Sequence, residues 1–344
     1  MTNVTVHERP GVYSSYDASR VVSASRGAGT VGLAASAASG KTGEVVTLYS
    51  YAEGAAAFGE GGEMGEMLAA LYANGARTVK AVRVVGDDYG AAFALLCACE
   101  GIDAVVCASG EKEVQQAMKE SVEEASAERR ERIAVLALGG SVNEVIERAK
   151  ALNSERTVLV TGKTGEGAKA GVLAAAAAAA IVSSGDPSLP MNGTVLNSAE
   201  TVTGRYSDAE IDALVRGGVT PLEALGGEVS IVRAVTTRTE TEGVPDATWR
   251  EVTSIRIADE VISTVRNALR TRFLRSKNNA RTRSAIRSQV ILELENFYAL
   301  EHIDGYGEVR VTALESDPTV CLVEFDFAVA HALSRIYLTA HITV

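Results

Sequence analysis

Histidine and cysteine are scarce in this chain, four of each among 344 residues. His7, His302, His331 and His341 lie far apart, with no H-x-x-x-H and no Cys/His grouping, so the spacing points to no metal site. Cys97, Cys99, Cys107 and Cys321 include no C-x-x-C pair and sit in apolar stretches. They read as reduced core thiols of a protein made in a cytosol. Long apolar runs are missing too. The longest, Val172–Val182, is about eleven residues and mostly alanine, well short of the roughly 20 that a membrane span needs. The opening MTNVTVHERPG has neither a basic nor an apolar leader region, so no secretory signal is expected.

Catalytic patterns are equally thin. There is no G-x-S-x-G elbow, and the acidic pairs Glu123-Glu124 and Asp87-Asp88 read as solvated surface rather than paired catalytic carboxylates. Gly27-Ala28-Gly29-Thr30-Val31-Gly32 matches the dinucleotide pattern G-x-G-x-x-G. That chemistry needs a helix opening behind it to hold a pyrophosphate. The following LAASAASG breaks at Gly40, so a small-residue turn is expected instead. Ser39-Gly40-Lys41-Thr42 and Thr161-Gly162-Lys163-Thr164 resemble the end of a P-loop. The first required glycine is Ala35 in one and Thr157 in the other, and both are expected to be solvated turns. An α/β nucleotide-binding enzyme is the rival reading that these glycines carry. No cofactor is expected.

What is present is a long alternation of short apolar strands and helices. The strand-like runs are Val45–Tyr49, Thr78–Val85, Ala104–Ala108, Ile133–Leu138, Thr157–Thr161 and Glu228–Thr239. Between them the patterning predicts helices over Gly65–Ala73 (stopped by Asn74-Gly75), Tyr89–Glu100, Glu111–Arg132, Val142–Leu152, Gly167–Ser183 and Ser207–Arg216. Ser207 with Glu210 three residues on is a capping box. This order is that of a mixed α/β sheet. At Thr241–Asp246 the composition turns to loop, which sets an expected boundary between residues 31–245 and 246–344, behind an N-terminal arm of residues 1–30.

The C-terminal part is α+β in pattern. Two arginine-rich helices from about Ser254 to Ala299 lead into strand-like runs Val309–Glu315, Thr319–Ala330 and Ser334–Val344. The last alternates Ile336, Leu338, Ala340 and Ile342, and an open terminal strand needs a partner. Val4 and Val6 in an extended VTV, a possible short strand at Val21–Ser25, and a turn through Val12 and Tyr13 give the first residues a matching arm. Both ends are therefore expected to exchange strands with the C-terminal domain or with neighbouring copies. Ser14–Ser19 and Gly305–Gly307 are the expected hinges.

Net charge is −11, which argues against a dedicated nucleic-acid binder. From Arg256 to Arg287, however, nine Lys or Arg face two acids, a local net of +7. Arg266, Arg270, Arg272, Arg275, Lys277, Arg281 and Arg283 form the candidate basic face. Phe273 is the one aromatic among them, so stacking platforms for single strands are missing. An acidic protein surface is the better fit.

Several segments together resemble the contractile bacteriophage tail sheath family, which includes the sheaths of contractile bacteriocins and prophage tails. They are ERPGVYSSYDAS (Glu8–Ser19), VVTLYSYAEGAAAFGE (Val45–Glu60), LAALYANGARTVKAVRVV (Leu68–Val85) and AAAAAAAIVSSGDPSLPMNG (Ala174–Gly193). The most specific is SDAEIDALVRGGVTPLEALGGEVSIVRAVTTRT (Ser207–Thr239), and the block from about Ile255 to Val344 is similar to the family's inward-facing domain. Asp103–Glu155 carries no such motif. The resemblance implies a compact, non-enzymatic structural subunit. It would have an outer α/β domain and an inner α+β domain facing a tube, with strand-exchanging arms. Such subunits stack as a helical homo-oligomer around an inner tail tube, between baseplate and tail terminator. They then contract and drive the tube through a cell envelope. The implied location is the virion tail, assembled in the bacterial host cytoplasm, without membrane insertion or direct nucleic-acid contact.

Overall fold

The computed structural model describes residues 29–165 and 169–331, which fall into two compact units that part between Thr253 and Ser254. The first contains β1 (Thr30–Ser36), β2 (Val45–Leu48), α1 (Tyr51–Phe58), α2 (Gly62–Ala73), β3 (Thr78–Val84), α3 (Tyr89–Ala98) and β4 (Ala104–Cys107). It continues with α4 (Lys112–Ala127), β5 (Ile133–Ala137), α5 (Val142–Leu152), β6 (Thr157–Gly162), α6 (Ala170–Ser183), β7 (Val195–Leu196) and α7 (Asp208–Arg216). It closes with β8 (Thr220–Leu225), β9 (Glu228–Ile231) and a small hairpin of β10 (Glu240–Thr241) with β11 (Val244–Pro245).

Nine strands make one sheet in the order β2-β3-β1-β4-β5-β6-β8-β9-β7. The six from β3 to β8 run parallel, and β2, β9 and β7 join antiparallel at the flanks. Helices cover both faces. One layer is built from α1, α2 and α6, and the other from α3, α4, α5 and α7 over a core of Phe93, Leu96, Met118, Val122, Leu136 and Leu214. The central strands are buried on both sides, as parallel strands under two helical layers must be. Gly171 lets α6 lie directly on the sheet, because a Cβ there would stand 2.8 Å from the Cα of Ala108.

Helix ends follow local chemistry. Ser141 with Glu144 and Ser207 with Glu210 form complete capping boxes. At the end of α2, Gly75 (φ +92°) donates to the Tyr72 carbonyl and Ala76 to that of Leu71, which is a Schellman stop. The same pair of bonds ends α4, from Arg129 to Ser126 and from Arg130 to Ala125, with Arg129 at φ +66°. Hence α4 stops at Ala127 rather than running to Arg132.

Three further expectations are corrected. Gly32 lies inside buried β1, not in a turn. Thr161 and Gly162 end buried β6, so the second lysine pattern is no solvated turn. The strand expected over Glu228–Thr239 ends at Ile231, and the chain then follows a path held by Thr236 and Thr237 side chains.

The second unit holds α8 (Val252–Phe273, its first two residues in the first unit), α9 (Ala280–Ala299), β12 (Ile303–Tyr306), β13 (Arg310–Leu314), β14 (Asp317–Glu324) and β15 (Phe327–Val329). On α8 the residues Ile257, Val261, Val265 and Leu269 recur every fourth position. They share a core with Val290, Leu294 and Phe297 of α9 and with Ile303, Phe327 and Val329. β12 pairs antiparallel with β15, and β13 with β14. Gly305 and Tyr306 are thus strand residues, and the Gly307 amide donates to Asp326 O at 2.9 Å, so Gly305–Gly307 is a paired segment rather than a free hinge. The N-terminal arm with Val4, Val6, Val12, Tyr13, Val21–Ser25 and the Ser14–Ser19 hinge lies outside the described residues. So does the terminal run with Ile336, Leu338 and Ile342.

Candidate assembly interface

The basic residues gather where α8 turns into α9. Arg270 and Arg272 occupy the last turn of α8, Arg275 and Lys277 the connection, and Arg281 and Arg283 the first turn of α9. Arg266 stands apart. It is 8% exposed on α8. It therefore does not belong to the exposed face that the charge run suggested.

The turn is anchored. Asn278 donates through Nδ2 to the carbonyls of Pro318 (2.8 Å) and Val320 (3.1 Å) on β14, and its Oδ1 accepts from Arg283 Nη1 at 3.0 Å. Asn279 caps α9 by accepting from the Thr282 amide. Arg272 donates to Gln289 on α9, and Arg287 Nε to the Val309 carbonyl at 2.8 Å. Arg270, Arg275, Lys277 and Arg281 are exposed, and none has an ion-pair or hydrogen-bond partner among the described residues. Four positive charges are thus held on a fixed frame. Charges of like sign at the start of α9 oppose its macrodipole, each by about 0.3–1 kcal/mol, whereas Arg270 and Arg272 suit the end of α8.

Sequence reading missed both the Asn278 anchor and the reversal of charge beyond Arg287. From Glu293 to Asp326 nine acids accompany the single Arg310, a net of −8. Continuing the same charge count past the helices reveals it.

Among the described residues the phosphate-like loops offer no cradle. Lys41 is exposed and pairs with Glu44 at 3.0 Å. Lys163 borders a cleft of about 670 Å³ that also includes Gly140, Ser141, Thr164, Tyr206 and Glu210. Its ammonium is bound by both Glu210 oxygens (3.1 and 3.2 Å) and lies 4.9 Å from the centre of the Tyr206 ring. The helix N-termini at this cleft, α5 and α7, are closed by their own Glu144 and Glu210. The Ser207 amide and hydroxyl, followed by Lys163, hold the Glu210 carboxyl down to about 2. Burial pushes the Cys107 thiol up to about 12, which keeps it protonated and unreactive. Among the described residues no group of three or more His, Cys, Asp or Glu could hold a metal, and no helix is long and apolar enough to cross a membrane.

Known protein families account for this pairing of an α/β unit with a helical and stranded C-terminal unit. The phage tail sheath protein central domain matches residues 83–237, and the phage tail sheath C-terminal domain matches residues 244–343. The chain belongs to the phage tail sheath family. As a member it is a structural sheath subunit, and the nucleotide-binding reading finds no support in these matches. A tail sheath protein of Bacillus phage SP01 is 29% identical over 227 residues, which are 62% of this chain and 39% of that protein. This chain therefore spans well under half the length of that relative.

Among solved structures, the sheath tail protein of Desulfitobacterium hafniense matches at a TM-score of 0.73 and 12% identity, covering 99% of this chain and 100% of that one. The helical sheath of the anti-feeding prophage in its contracted state gives 0.72 at 15% identity, covering 98% and 99%. The PVC sheath complex of an extracellular contractile injection system, also contracted, gives 0.71 at 16% identity, covering 99% of both chains. At such identities these likenesses establish a shared mixed α/β fold.

Proposed function

We propose that this chain polymerises helically around an inner tube and contracts to drive that tube through a target cell envelope. The observation that carries the reading is the anchored basic α8–α9 turn with its four unpartnered cations, in a chain of net −11. Residues 31–245 form the outer domain and residues 246–344 the inner one, with the basic turn facing an acidic tube protein. Exposed ion pairs of roughly 0–1 kcal/mol each suit a contact that is held by many copies and released by all of them. The arms with Val4, Val6, Val12, Tyr13, Ile336, Leu338 and Ile342 link neighbouring subunits by adding strands, so that domains can swing while staying connected. Baseplate and tail terminator bound the polymer, which assembles in the host cytoplasm and ends in the virion tail. No residue performs chemistry in this scheme.

Electron microscopy of the purified chain with and without an acidic tube tests the reading. Helical tubes that enclose the added tube are expected. Monodisperse particles under all salt and tube conditions would refute it.

A further inference from the structure

The charges at the start of α9 do not serve that helix. Arg281 and Arg283 open α9 where cations oppose the macrodipole, while Glu293 and Glu295 lie in its second half. Glu301 follows in the left-handed position after the helix (φ +59°), and Asp304 is exposed just beyond. No Lys or Arg stands between Glu293 and Glu308. The hydrogen bonds that Glu293 and Glu295 accept, from Gln289 and Tyr306, come from neutral donors and leave the negative charge in place. The two poles cannot neutralise each other within one chain. α9 has 20 residues, so its ends lie roughly 30 Å apart, several times the ~8 Å screening length. Interspersed charges would serve solubility as well; segregated ones serve recognition.

We propose that the basic α8–α9 turn of one copy docks against the acidic far end of α9 in a second copy. This rests on the reading of the chain as one subunit of a polymer and adds a copy-to-copy contact to it. Because the two surfaces differ, the contact is head-to-tail, which closes into a ring or runs on as an open helical array. The turn then has two acidic counterparts, the tube and the neighbour's α9. It can pass from one to the other without leaving its charges unpaired.

Sedimentation velocity of the full chain without any tube tests this, with circular dichroism confirming that each variant folds. Glu301→Lys with Asp304→Lys, and separately Arg270→Glu with Arg275→Glu and Arg281→Glu, should each weaken self-association by about tenfold or more at low salt. The chain carrying all five reversals should regain association, because the signs are exchanged on both sides. Undiminished association of the Glu301/Asp304 variant, or no recovery in the five-fold variant, would overturn the proposal. Co-sedimentation with an acidic tube separates this from the functional reading: the Glu301/Asp304 variant should still load on the tube. A turn variant that loses the tube but self-associates normally would sink the copy-to-copy contact and leave the tube contact standing.

Discussion

Arg283 donates to Asn278 Oδ1 at 3.0 Å while the Asn278 amide bridges two β14 carbonyls. One uncharged side chain thereby holds the basic turn to the hairpin. Asn278→Ala removes three hydrogen bonds and no charge. At about 0.5–1.5 kcal/mol for each of these partly exposed bonds, unfolding in urea should show a loss of about 1.5–4.5 kcal/mol. Tube loading should fall although net charge is unchanged; unaltered stability and loading would show that the turn is held by other contacts.

Arg270→Glu, Arg275→Glu and Arg281→Glu together change the turn by six charge units without touching the buried core. Co-sedimentation with the tube should be lost in the triple variant. For the parent it should weaken steeply from low to high salt, since exposed pairs are screened over ~8–10 Å. A triple variant that coats tubes as the parent does would make these arginines an ordinary solvated face.

Removal of residues 1–13 should leave a folded chain, because each unit has a hydrophobic core built from described residues. Polymerisation should be abolished. Normal tubes in electron micrographs of the truncated chain would rule out a linking role for the first arm.

Glu210 titrates at about 2 in the folded chain, held there by the Ser207 amide, the Ser207 hydroxyl and Lys163. Its folded value lies below the unfolded one. The stabilising effect is therefore complete above the ordinary carboxylate range near 4.3, declines as pH falls through that window, and is gone below about 2. Ser207→Ala keeps the amide and removes the hydroxyl, so it should raise the Glu210 midpoint part of the way in a carboxyl-carbon NMR titration. Adding Lys163→Ala should raise it further. An unmoved midpoint in both would mean that the capping box does not set this charge.

The sequence by itself determined the elements whose signals are local. Val142–Leu152 is a helix over the residues expected, since its cap, its 3.6-residue period and its stop all lie within a dozen positions. The capping box at Ser207 and the Asn74-Gly75 stop are read from side-chain chemistry in the same way. The sheath resemblance was legible because its motifs keep their order along the chain. The charge run from Arg256 to Arg287 was legible because charge is additive along a sequence.

Tertiary structure decided the rest. Thr30–Ser36 has no alternation, because a central parallel strand is covered on both faces, and its small residues imitate a glycine turn. Gly305 and Tyr306 become strand only because Phe327–Val329 returns to pair with them. Arg266 and Arg270 look alike in the sequence. One is buried and the other exposed. They lie four residues apart on one face of α8, so helix periodicity does not separate them; what packs over each position does, and that is settled by residues distant in sequence.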